Sequence, residues 1–197
     1  MKKRILLFLF TLIFVKVFAQ GSDEQISIGK FGLGFHVEQF KINDLTDLTN
    51  NMEPINKLVL TISPIASFRI EPEFGFRYIK EGTAETYLIG IGSGFFAMHQ
   101  FEKLNFYGGI RIEFDLGSYS ESIYDGMNTT NSKINQNRIA IAPTIGVEYF
   151  FYKSFSIGGE VSLKYTSIDN SPDNSSLTST NGKIFGTDTG LLLRYYF

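Results

Sequence analysis

From Leu104 onward, apolar and polar residues alternate. Leu104, Phe106, Ile110, Ile112, Phe114 and Leu116 hold even positions, and Asn105, Tyr107, Arg111, Glu113 and Asp115 hold odd ones. A period of two puts the first set on one face of a β-strand and the second on the other. The pattern recurs along most of the chain, broken by stretches rich in Asn, Ser, Thr and Gly. It predicts eight strands: Ser27–Phe40, Lys57–Ala66, Arg69–Lys80, Glu85–Ala97, Leu104–Gly117, Arg138–Phe150, Phe155–Thr166 and Lys183–Phe197. Connections alternate in size. Lys41–Asn56, Glu81–Ala84, Ser118–Asn137 and Ser167–Gly182 are long or moderate, and those between them are tight.

An amphipathic strand alone fits either a soluble sandwich or a membrane barrel, since both keep one apolar face. An even strand count with short turns at one end and longer loops at the other selects the barrel. The fold expected is therefore all-β: an eight-stranded antiparallel up-and-down transmembrane β-barrel with short periplasmic turns and longer extracellular loops. Aromatics at strand ends, among them Tyr78, Tyr87, Tyr149, Phe155, Tyr165 and Phe185, suggest two interfacial girdles. Pro64, Pro72 and Pro143 fall inside predicted strands, where each removes a ladder donor, so bulges or early strand ends are expected there.

The N-terminus follows a different pattern. Lys2, Lys3 and Arg4 precede an apolar run from Ile5 to Val15, and Val17-Phe18-Ala19 offers a cleavage site before Gln20. The run stops at Lys16, short of the roughly 20 residues a spanning helix needs. Residues 1–19 are thus expected to be a removed signal peptide and residues 20–197 an outer-membrane β-barrel domain. The formal charge of the whole chain is −2, and losing Lys2, Lys3, Arg4 and Lys16 takes it to −6. Such a balance argues against nucleic acid as a partner. The chain has no cysteine, which excludes disulfides, thiolate metal sites and cysteine nucleophiles. Mean hydropathy is +0.01, an average over an apolar face and a charged one.

On the opposite face, Glu38, Arg69, Glu71, Glu73, Arg77, Arg111, Glu113, Asp115, Arg138, Glu148, Glu160, Lys164, Asp188 and Arg194 point into the lumen, acids and bases nearly balanced. An ion-selective pore would show one dominant sign, and an eight-stranded interior is narrow enough for side chains to fill. A salt-bridged plug is expected, centred on Glu71, Glu73, Arg77, Arg111, Glu113 and Asp115. Gly90, Gly92 and Gly94 would make room for these neighbours to pair across them. Gly92-Ser93-Gly94-Phe95-Phe96-Ala97 matches a dinucleotide-binding turn, but no crossover helix fits before Leu104. His36 reads as a lumen hydrogen-bonding group and His99 as a turn residue. Neither supplies ligand or catalytic spacing, so no cofactor, metal or catalytic residue is expected.

At the C-terminus, Thr189, Leu191, Leu193, Tyr195 and Phe197 alternate with Gly190, Leu192, Arg194 and Tyr196. This resembles the terminal strand of bacterial outer-membrane barrels, and the resemblance implies that Leu191, Leu193, Tyr195 and Phe197 are read by the barrel-assembly machinery. Ile62-Ser63-Pro64 to Tyr78, echoed by Ile141-Ala142-Pro143 to Tyr165, is similar to the small outer-membrane barrel domains related to OmpA and OmpX. That resemblance implies the outer membrane of a Gram-negative cell and a non-enzymatic role in envelope integrity or surface interaction. A narrow solute channel, or an accessory part of a transport or secretion complex, is the alternative. Partners expected are outer-membrane lipid, the assembly machinery and an unknown surface ligand, with Ser118–Asn137 and Ser167–Gly182 as the candidate recognition surface. The chain stops at the eighth strand, so a peptidoglycan-binding domain is not expected.

Overall fold

A computed structural model describes residues 30–41, 56–124, 129–172 and 180–197. The expected signal peptide, residues 20–29 with the start of the predicted first strand, and residues 42–55, 125–128 and 173–179 lie outside the described residues. Eight antiparallel strands close on themselves: β1 (Phe31–Lys41), β2 (Asn56–Ile65), β3 (Phe68–Glu81), β4 (Ala84–Phe101), β5 (Leu104–Tyr124), β6 (Thr129–Tyr152), β7 (Phe155–Pro172) and β8 (Thr180–Tyr196). Each strand pairs with its sequence neighbours, and β1 closes against β8.

The register fixes the tilt. Paired inward residues run from Leu192 through His36, Lys57, Gly75, Gly90, Asp115, Arg138 and Ile168 to Gly182, reaching β8 again ten residues from the start. A stagger of this size forces the strands to lean and leaves an interior that side chains can fill. Along β5, Arg111, Glu113 and Asp115 are buried while Ile110, Ile112, Phe114 and Leu116 are exposed. The other strands repeat this inversion, so the apolar surface is outside. In water such a surface would be an aggregation hazard; against hydrocarbon it is the favourable one.

Three tight turns, Ala66–Ser67, Glu102–Lys103 and Lys153–Ser154, stand at one end. Glu102 takes a left-handed φ of 50°, and Gly82 does so at 60° in the turn between β3 and β4 at the other end. The expected aromatics lie outside: Tyr78 faces Tyr87 and Tyr165 faces Phe185 in register, and Phe151 stacks on Phe155 at 6.1 Å.

Several boundaries differ from the sequence expectation. Ser118–Asn137 is mostly strand, since β5 and β6 stay paired up to Tyr124↔Thr129. Much of Ser167–Gly182 is strand as well, with β7 and β8 paired to Asn170↔Thr180. Above the membrane neither face meets lipid, so the alternation that marks a strand disappears while the backbone ladder continues. His99 lies in β4, paired with Phe106, and not in a turn. Of the three prolines, Pro64 accompanies a register shift between Ile62 and Ile65. Pro72 and Pro143 sit in strands whose register is unchanged across them, and pairing lapses there on one side only.

Candidate functional site: a charge-paired lumen

The inward face carries two linked networks. Near the tight turns, Glu148 on β6 accepts from four side chains drawn from four other strands. Arg69 Nη2 lies 2.7 Å away, Tyr196 OH 2.6 Å, Ser156 Oγ 2.5 Å and Asn105 Nδ2 3.3 Å, with β3, β8, β7 and β5 each contributing one donor. Arg194 reaches Glu71 at 2.7 Å. Arg111 holds three carboxylates: Glu160 at 2.6 Å, Glu71 at 2.9 Å and Glu73 at 3.1 Å. Tyr107 OH donates to Glu160 at 2.9 Å. Aromatic faces back the guanidiniums, with Arg111 4.8 Å from the Phe96 ring centre and Arg69 and Arg194 each 5.4 Å from that of Tyr107.

Nearer the loop end, the carboxylates around Glu113 are held by two lysines. Lys57 Nζ lies 2.8 Å from Glu38, 3.0 Å from Glu113 and 3.5 Å from Glu73, and Lys164 Nζ lies 2.6 Å from Glu113 and 3.4 Å from Asp188. Glu73 joins the two networks, since Arg111 and Lys57 both contact it. Each ion costs several kcal/mol to remove from water, so a lumen this charged is tolerable only when its groups are paired.

Glu71, Glu73, Arg111 and Glu113, predicted together, fall in these networks. Asp115 is buried and faces Arg138 in register, and Arg77 continues the same inward face of β3 toward the loops. Gly92 and Gly94 behave as expected, and Gly94 also leaves room for the Phe96 ring. A Cβ at Gly92 would lie 2.6 Å from Glu73 Oε1, and one at Gly94 3.0 Å from Arg111 Nη1, so the Glu73–Arg111 bridge crosses β4 where β4 has no side chains. Sequence reasoning missed Lys57, which is 3% exposed and contacts three carboxylates. It opens its predicted strand, and the outward set Leu58, Leu60 and Ile62 already placed it inside. Tyr196 and Ser156 were also missed, because their hydroxyls look incidental until Glu148 is placed between them.

Leu191, Leu193, Tyr195 and Phe197 all point outward, while Leu192, Arg194 and Tyr196 point into the lumen. The last strand thus shows an apolar edge face outside and its polar anchors inside. Among the described residues no group of three or more His, Cys, Asp or Glu is placed to hold a metal ion.

An apolar exterior around a closed, charge-paired interior defines a transmembrane barrel of the bacterial outer-membrane type. The chain belongs to the putative OmpA-OmpF-like porin family, whose model matches residues 49–186. Its fold is similar to that of a major outer membrane protein from Thermus thermophilus, with TM-score 0.51, 12% identity, 86% of this chain and 99% of the other covered. It is also similar to Neisserial surface protein A, with TM-score 0.50, 12% identity, 85% of this chain and 97% of the other covered. No curated protein matches the sequence.

Proposed function

We propose that this outer-membrane barrel is a non-enzymatic, closed element of the envelope that contributes to integrity or presents its loop end to the surroundings. The observation that supports this most is the lumen. Arg111, Lys57, Lys164, Arg69 and Arg194 each bridge carboxylates across the bore, and a conduction path would have to break those pairs. The projecting part is the β5–β6 hairpin. A tilted strand crosses hydrocarbon in about 9–11 residues, whereas β5 has 21 residues and β6 has 24. The hairpin therefore extends well past the apolar band and carries the Asn- and Ser-rich segment that would meet a surface ligand.

In this reading the signal peptide is cleaved on export, outer-membrane lipid covers the outward aliphatic and aromatic side chains, and Leu191, Leu193, Tyr195 and Phe197 serve the barrel-assembly machinery. Nucleic acid is no partner. Planar-bilayer recording of the refolded barrel should show no discrete conductance steps; regular steps would establish the narrow channel instead. A deletion strain complemented with the full chain should regain detergent tolerance. Complementation with a chain trimmed within residues 118–137 separates the two roles, since tolerance without cell-surface binding assigns the binding to the hairpin.

A further inference from the structure

Between the two networks the lumen encloses a small polar cavity whose lining includes His36, Glu38, Arg111, Glu160, Lys164 and Asp188. It has room for about one water molecule. His36 is 4% exposed, yet neither ring nitrogen has a hydrogen-bond partner, and Glu38 Oε2 has none either. The ring is seated against β8, where a Cβ at Gly190 would collide with His36 Nε2. Gly190 is therefore the residue that makes space for the imidazole. A buried polar group without a partner costs about 1–3 kcal/mol, so a ring seated this carefully calls for a guest.

The chemistry of the lining selects that guest. Charged groups face His36 from every neighbouring element: Glu38 from its own strand, Lys57 from β2, Arg111 and Glu113 from β5, Glu160 and Lys164 from β7, and Asp188 from β8. Glu113 is held by Lys57 and Lys164, and Glu160 by Arg111. What remains is one carboxylate oxygen each of Glu38 and Asp188 without a hydrogen bond, together with the imidazole, which in its neutral form offers one donor and one acceptor. A monovalent cation could meet the carboxylates and the ring's acceptor nitrogen but would leave the ring N–H unmatched, and it would sit among Lys57, Arg111 and Lys164. An anion would face Glu38, Glu160 and Asp188. Water both donates and accepts, and it carries no charge.

We propose that this cavity binds a single ordered water molecule between His36 and Glu38, at the boundary between the lysine network and the arginine network. The test is water-to-protein cross-relaxation by NMR on the full barrel refolded in detergent micelles. Cross-peaks from the water resonance to the Gly190 amide and the His36 ring are expected, unchanged when sodium chloride is replaced by potassium or choline chloride. Absence of these cross-peaks overturns the proposal, and so does their dependence on the cation, which would mark an ion site. His36→Leu should remove about one long-lived water from the relaxation-dispersion amplitude while the protein keeps its heat-sensitive gel mobility. An unchanged amplitude in folded H36L counts against the site. If H36L does not fold, the wild-type cross-peaks decide by themselves.

Discussion

The two ends of the lumen solve one problem with different side chains. At the turn end the cations are Arg69, Arg111 and Arg194, planar groups that each address more than one partner while lying against Tyr107 or Phe96. Around Glu113, nearer the loops, they are Lys57 and Lys164, point charges on flexible stems, with Arg138 facing Asp115 beside them. A guanidinium offers five donors in a rigid fork and stacks on aromatic rings, whereas an ammonium does neither as well. The turn end is accordingly packed with Phe96, Phe150, Tyr107 and Tyr196, and the cavity beside His36 opens where the lysines take over. Rigidity should therefore concentrate near the tight turns.

That contrast can be broken at several points, and urea unfolding in detergent micelles reads each of them. Arg111→Met strips Glu71, Glu73 and Glu160 of a shared cation inside a closed bore, and should cost the most, about 3–5 kcal/mol. Lys57→Met should cost less, about 1–3 kcal/mol, because Glu113 keeps Lys164 and Glu73 keeps Arg111 while Glu38 loses a cation held at 2.8 Å. An equal loss in the two variants would erase the distinction between the networks. Gly92→Leu drives a side chain into Glu73 and the backbone carbonyl of Ile112. We expect a lowered thermal midpoint, on the order of 1–3 kcal/mol of destabilisation; an unmoved midpoint would mean the glycine track is not what admits the Glu73–Arg111 bridge.

Tyr196→Phe removes a hydroxyl that donates to Glu148 and accepts from Arg69. A loss of about 1 kcal/mol would show that the inner face of the last strand is tied across the bore to β6 and β3. The smallest effect is expected outside the lumen. Lys80 and Glu85 pair at 2.5 Å near the β3–β4 turn but are exposed to solvent, so Lys80→Ala should change stability by less than about 1 kcal/mol. A large effect there would show that the loop end is less solvated than its exposure indicates.

Strand identity was legible wherever lipid constrains one face. Leu104–Gly117 could be read directly because each outward position must be apolar and each inward one must fill the bore. The same logic failed at Ser118–Asn137, where the ladder runs on but polar residues follow one another with little apolar alternation. Inward placement of Glu71, Glu73, Arg111 and Glu113 followed from parity alone. Which acid meets which base did not, since Arg111 on β5 reaches Glu73 across β4 and Glu160 two strands away in the other direction.

Written into the order of residues are the all-β class, the count of eight strands, the side of the wall each residue occupies and the near-balance of lumen charge. All four depend on local periodicity, which neighbouring residues carry without reference to the rest of the chain. Only the closed barrel brings about the stagger of ten residues around its wall, the division of the charges into an arginine network and a lysine network, and the seating of His36 over Gly190. Those depend on how far each strand slides against the next, a choice made by ring closure and by side chains that meet only across the bore.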